Sequence, residues 1–182
     1  MLSRRLFPLL FCMASLATGA EIPRPSPDFT VNLNDGRQIH ISEYKGKVVV
    51  LAFILTGCSH CQFTSQVLTK LQQEYGPRGF QVIASAINEM SKLYVPDFIK
   101  NFHPAYPVGY NERDAAEDYL QHPVMYRLLM PQVVVIDRKG TIRAQYAGDD
   151  KFFANNAEQE KNFRDVIEPL LKEGAGQTAR KK

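Results

Sequence analysis

An α/β domain, with a central mixed β-sheet flanked by helices and an added amino-terminal β-hairpin, is the fold class this sequence predicts. Three observations carry it. Two runs of strand length, 48–55 and 80–87, are apolar on both faces or nearly so, as strands in the middle of a sheet must be. Apolar residues recur at helical spacing between and after them, first Phe63, Val67, Leu68, Leu71 and Tyr75, and last Phe163, Val166, Ile167, Leu170 and Leu171. Two further strand-like runs, 133–137 and 141–146, flank Arg138-Lys139-Gly140, a turn that makes them an antiparallel pair.

In chain order, residues 29–33 and 38–41 alternate apolar with polar around Asn34-Asp35-Gly36 and predict the hairpin. The run 48–55 is the central strand. The helix predicted over 61–75 is stopped by Gly76-Pro77. The second buried strand follows at 80–87, then helices over 94–102 and 114–120. The antiparallel pair and a carboxyl-terminal amphipathic helix complete the domain.

Ahead of it, Arg4 and Arg5 precede an apolar stretch at 6–16 and the small residues Ala17, Thr18, Gly19 and Ala20. This is the pattern of a secretory signal cleaved after Ala20. The paired arginines also resemble a twin-arginine export signal, but almost nothing precedes them, so the Sec route is preferred. The stretch contains Pro8 and is short for a bilayer, so no stable membrane span is expected after cleavage. Cys12 follows the bulky Phe11 and reads as filler of that stretch, not as a lipidation site. The expected boundaries are a signal peptide at 1–20, a Pro-rich linker at 21–27, one domain at 28–172 and a basic flexible tail at 173–182. The net charge of +3 falls to +1 when Arg4 and Arg5 leave, which gives no case for nucleic acid. A periplasmic monomer is the expectation, working where the environment is oxidising.

Directly after the central strand stands Cys58-Ser59-His60-Cys61. Two cysteines three apart put both sulfurs near the first turn of a helix, close enough to form and break one disulfide, and a buried strand feeding that turn suits a redox dithiol. The competing reading is half of a zinc site, which needs two more ligands. His40, His103 and His122 are scattered singly, so no metal is expected, and no cofactor beyond the redox-active disulfide itself.

Together with that motif, Pro27-Asp28-Phe29, Tyr44-Lys45-Gly46-Lys47, Glu89, Met130-Pro131 and Ile136-Asp137-Arg138-Lys139-Gly140 make the chain resemble a known family. It is similar, over residues 27–171, to the TlpA/ResA branch of extracytoplasmic thioredoxin-like thiol–disulfide oxidoreductases, within the wider redoxin group. The resemblance implies a thioredoxin-like fold and exchange with protein thiols or disulfides, with an upstream redox partner and a connection to cytochrome c maturation. It also implies that Pro131 is cis, exposing the Met130 backbone to an extended substrate, and that Glu89 lies near the dithiol and helps to move protons.

Position assigns the rest. Cys58 at the amino end of the helix meets unpaired N–H groups and the helix dipole, which favour a thiolate, so it is the nucleophile. Cys61, one turn in and more buried, is the resolving thiol. His60, where many relatives carry proline, is placed to pair with the Cys58 thiolate and make the disulfide more oxidising. Two departures stand out. Gln132 replaces a threonine common in the family, and Gly57 stands where the family has Trp, in a chain without Trp. Tyr106, Tyr110, Tyr126 and Phe153 are aromatic candidates for the surrounding surface, with core packing the expected role of each.

Two other functions compete. A peroxiredoxin wants a threonine three residues before its cysteine, and Leu55 stands there with Thr56 one place off. A copper metallochaperone uses three residues between its cysteines, and here there are two, although His103 or His122 offers a later ligand.

Overall fold

The strand 48–55 is buried because it is the middle of an eight-stranded sheet. In the computed structural model, which describes residues 20–173, β4 (Val48–Ile54) lies parallel to β5 (Phe80–Ala86) on one side and antiparallel to β7 (Gln132–Ile136) on the other. The sheet runs β1-β8-β7-β4-β5-β6-β2-β3, where β1 is Arg24–Pro25, β2 Thr30–Asn32, β3 Gln38–His40, β6 Val108–Tyr110 and β8 Thr141–Tyr146.

Alternation along β4 divides the core in two. Val48, Val50, Ala52 and Ile54 face one layer. There they join Val67, Leu68 and Leu71 of α1 (Ser59–Tyr75), Val95 and Phe98 of α2 (Ser91–Phe102), and Phe163 and Ile167 of α4 (Asn156–Glu173). Val49, Leu51 and Phe53 face the other layer. There Phe29 and Val31 beside the hairpin meet Tyr119 and Leu120 of α3 (Arg113–Leu120). The all-apolar pattern of 48–55 thus reflects burial on both faces.

Three local differences from the sequence reading have physical causes. The segment 21–27, read as a linker, supplies β1: Arg24 pairs with Ile142 and Pro25 with Thr141. An extended, proline-bearing segment can serve as an edge strand because proline's missing N–H can face away from the ladder. Buried Arg24 anchors it, its Nη2 donating to the Tyr119 carbonyl and to Gln145 Oε1, both at 3.0 Å. Helix α2 starts at Ser91, earlier than 94, although Leu93 is exposed and Pro96 lies inside it. Proline has no N–H for the Lys92 carbonyl, and Asn34 Nδ2 donates to that oxygen at 2.6 Å instead. At the carboxyl end, Glu173 belongs to α4 and pairs with Arg143 at 3.0 Å, so the first residue assigned to the tail is structured. The remaining tail residues and residues 1–19, where the signal reading and Cys12 fall, lie outside the described residues.

Candidate active site

The dithiol sits where β4 hands over to α1. After Ile54 the chain turns through Leu55-Thr56-Gly57, closed by the Cys58 N–H donating to the Leu55 carbonyl at 3.1 Å. Asn88, just past β5, accepts at Oδ1 from the Thr56 N–H at 3.0 Å and from Thr56 Oγ1 at 3.3 Å. Gln62 Nε2 donates to the Thr56 carbonyl at 3.0 Å. Both neighbouring elements therefore fix the turn that carries Cys58.

Cys58 is the N-cap of α1, with extended backbone, and its sulfur accepts the Cys61 N–H at 3.5 Å. The helix starts at Ser59, two residues earlier than the apolar spacing predicts, because a cap leaves its first turn exposed and without apolar periodicity. Cys58 is half-buried and Cys61 fully buried, and both are free thiols. Burial pushes the Cys61 thiol well above its ordinary range, and the neighbouring Cys58 sulfur adds to the rise.

The other expected residues are placed unequally. His60 is exposed in the first turn, and the hydrogen bond to Cys58 Sγ comes from the backbone and not from the imidazole. Glu89 is exposed and does not line the cleft beside Cys58, whose lining is Leu55, Thr56, Gly57, Cys58, Asn88 and Tyr94. The preceding Asn88 turns inward to Thr56 and leaves Glu89 facing out. Asn88 and Tyr94 are the functional candidates that sequence reasoning missed. Of the proposed surface aromatics, Tyr106 and Phe153 are core residues, Tyr110 packs partly against the core, and Tyr126 is 72% exposed, against the core role expected of it.

On the opposite flank, pairing of Phe53 with Gln132 brings the start of β7 beside the end of β4. The Met130–Pro131 bond is cis, and half-buried Met130 packs against both core layers. Buried Gln132 donates from Nε2 to the Leu129 carbonyl at 2.6 Å, so the residue that departs from the family pattern pins this loop. Gly148 donates to the same carbonyl at 3.1 Å. A β-carbon on Gly148 would collide with the Met130 carbonyl oxygen and lie 2.5 Å from Met130 C and 2.8 Å from its N. Among the described residues no backbone group pairs with the Met130 N–H or C=O. Among them, too, no group of three metal-ligating side chains gathers, and no helix is long and apolar enough to cross a membrane.

A cysteine pair at a helix start, fed by a central strand and flanked by a cis proline, defines a thioredoxin-fold oxidoreductase. The chain belongs to the Redoxin family, whose model matches residues 21–165. It is similar to the thiol-disulfide oxidoreductase ResA of Bacillus thuringiensis subsp. konkukian, 26% identical over 130 residues that cover 71% of each chain. It is also similar to the thioredoxin-like protein YneN of Bacillus subtilis, 26% identical over 133 residues, 71% of this chain and 74% of that one. In fold it matches a thiol:disulfide interchange protein of the thioredoxin family from Chlorobium tepidum, with a TM-score of 0.67 and 22% identity, covering 84% of this chain and 99% of that one.

Two expectations follow from this geometry. The fold favours the protonated form of Cys61, so the stability that form contributes is whole below the ordinary thiol pKa of about 8.5 and is lost as pH rises through the raised value. In urea titrations above roughly pH 8.5, the reduced protein should lose stability more steeply than Cys61→Ser, because serine has no proton to release there. Equal slopes would remove the buried-thiol account. Gly148→Ala should cost about 1–3 kcal/mol through overpacking against Met130 and slow thiol exchange, measured by urea midpoint and insulin reduction. A variant as stable and as active as wild type would show that this close approach is unimportant.

Proposed function

We propose that the chain is an exported enzyme that exchanges disulfides with cysteines of other polypeptides through Cys58 and Cys61. The observation that carries this is the unequal placement of two thiols one helical turn apart, one reachable and one buried, with the Cys61 N–H aimed at the Cys58 sulfur.

Cys58 attacks as a thiolate. A bond forms from its Sγ to one sulfur of a substrate disulfide while the substrate's own S–S bond breaks, and the departing sulfur leaves as a thiolate and takes up a proton. Cys61 then loses its proton and attacks Cys58 Sγ, and the second substrate sulfur is released in the same way. The substrate gains two electrons and the Cys58/Cys61 pair becomes a disulfide. Run in reverse, the oxidised pair passes its disulfide to a substrate dithiol. An upstream thiol–disulfide partner resets the pair in either direction.

The unpaired Met130 N–H and C=O, steadied by Gln132 and Gly148, suit main-chain pairing with an extended substrate beside the sulfur. Export rests on the amino-terminal pattern and the resemblance to ResA. Glu89, exposed in the turn after β5 and outside the cleft's lining, is the acid that the family resemblance offers to take the Cys61 proton. The peroxidase reading has little support at this turn, because the Thr56 hydroxyl is engaged by Asn88.

With a disulfide-bearing peptide as substrate, Cys61→Ser should accumulate a mixed disulfide detectable by mass spectrometry, and Cys58→Ser should accumulate none. Trapping through Cys61 in the second variant would reverse the assigned roles. His60→Pro should lower the reduction potential measured against glutathione, since it removes a polar imidazole from the cysteines' own turn. A potential that does not move would take His60 out of the chemistry.

A further inference from the structure

The exchange reading leaves the choice of substrate open, and the cleft beside Cys58 bears on it. The cleft has a volume of about 440 Å³ and holds the nucleophile in its wall. A mixed disulfide keeps the two cysteine α-carbons within roughly 7 Å, so the α-carbon of the residue next to a substrate's target cysteine lies within about 11 Å of that of Cys58, near enough for a large side chain to reach the cleft. On one flank it meets the Met130 backbone, and on the other it meets this cleft.

The polar groups of Thr56 and the Asn88 side chain, which line the cleft, are already engaged. The Thr56 N–H and Oγ1 are held by Asn88 Oδ1, the Thr56 carbonyl by Gln62, and Asn88 Nδ2 donates to the Glu89 carbonyl at 3.1 Å. What remains to meet a visitor is the side chain of Leu55, the ring of Tyr94 and the bare backbone of Gly57. Beyond Tyr94, itself 47% exposed, the apolar surface continues through Leu93 at 67% and Met90 at 62%. Large apolar groups this exposed and this close together mark a contact surface.

Two further observations concern the residues around the opening. A β-carbon on Gly57 would have nothing within 4 Å, and its backbone is not left-handed, so packing does not require glycine there. Gly57 is part of the cleft's lining, so a side chain there would add bulk beside it. Met90, by contrast, has left-handed backbone with φ 53°, which costs a non-glycine residue about 1–2 kcal/mol, yet its side chain is held out in solvent. The chain thus omits a side chain where one fits and keeps an apolar one where the backbone disfavours it.

We infer that the cleft is a specificity pocket that takes an aromatic or large aliphatic side chain adjacent to the target cysteine of an extended polypeptide, with Tyr94 as its packing wall. This assignment rests on the exchange reading. Tyr94 determines specificity and takes no part in the chemistry.

The test uses two synthetic peptides, each carrying one cysteine as a mixed disulfide with glutathione, with Phe or Ser beside that cysteine, and the reduced protein in single-turnover exchange. Wild type should react about 10-fold faster with the Phe peptide, the scale of one buried aromatic contact. Tyr94→Ala, which removes the wall, and Gly57→Phe, which adds bulk beside the cleft, should each bring the ratio of the two rates toward one. Equal rates in wild type, or a preference that survives both substitutions, would overturn the pocket while leaving the exchange reading intact. A wild type that reacts with neither peptide nor glutathione disulfide would overturn the exchange reading and the pocket with it.

Discussion

The site depends on one constraint, that β4 cannot move. Its seven residues are buried, and they are in register with β5 from Val48–Phe80 to Ile54–Ala86 and with β7 from Val49–Ile136 to Phe53–Gln132. Sliding the strand by one residue would exchange the side chains of its two faces, and both faces are packed. The end of β4 is therefore fixed in space, and Cys58 lies four residues beyond Ile54 through a turn held by Asn88 and Gln62. The same pairings bring Asn88 and Met130 to opposite flanks of the sulfur. Cys58 is thus held in place by the sheet together with the Asn88 and Gln62 hydrogen bonds.

Fixing Cys58 at the helix cap separates the environments of two chemically identical groups. The cap position is outside the helix and remains partly open, while one turn later the chain has entered the core and Cys61 is buried among apolar side chains. Desolvation favours the protonated form of Cys61, and in the proposed mechanism this leaves Cys58 to attack first. The order of the two exchange steps in the proposed mechanism is thus a consequence of where the helix begins.

The fold was largely legible because it is encoded in burial periodicity. The unbroken apolar run of β4, the helical spacing after Cys61 and the turn at Arg138-Lys139-Gly140 each report a local environment that the sequence writes directly. The CxxC was legible for the same reason, since its chemistry needs neighbours in sequence. Features made by residues distant in sequence were not. Arg24 reads as part of a proline-rich linker until Tyr119 and Gln145 are brought to it. Asn88 is inconspicuous in the sequence beside the charge of Glu89, because only the pairing of β5 with β4 brings it to Thr56. Gly148 looked like any loop glycine, and its role exists only against the Met130 backbone. Tyr94 lay at the edge of a helix whose true start is hidden by Pro96 and by the Asn34 side chain that compensates for it.

The two flanks of Cys58 differ in kind, and in the proposed function that difference divides the work of recognition between them. The Met130 side is backbone, braced by the buried side chain of Gln132 and by a glycine that admits no β-carbon. Main-chain groups contribute affinity and alignment without regard to sequence, which suits an enzyme meeting many polypeptides. The Tyr94 side is side chain, open and apolar, with the Thr56 and Asn88 polar groups held internally, so the proposed pocket favours residues that bring apolar surface. Alignment on one flank and selection on the other need not be tuned together. A substitution in the cleft can change which cysteines are preferred while the sulfur, its cap and the Met130 loop stay where β4 puts them.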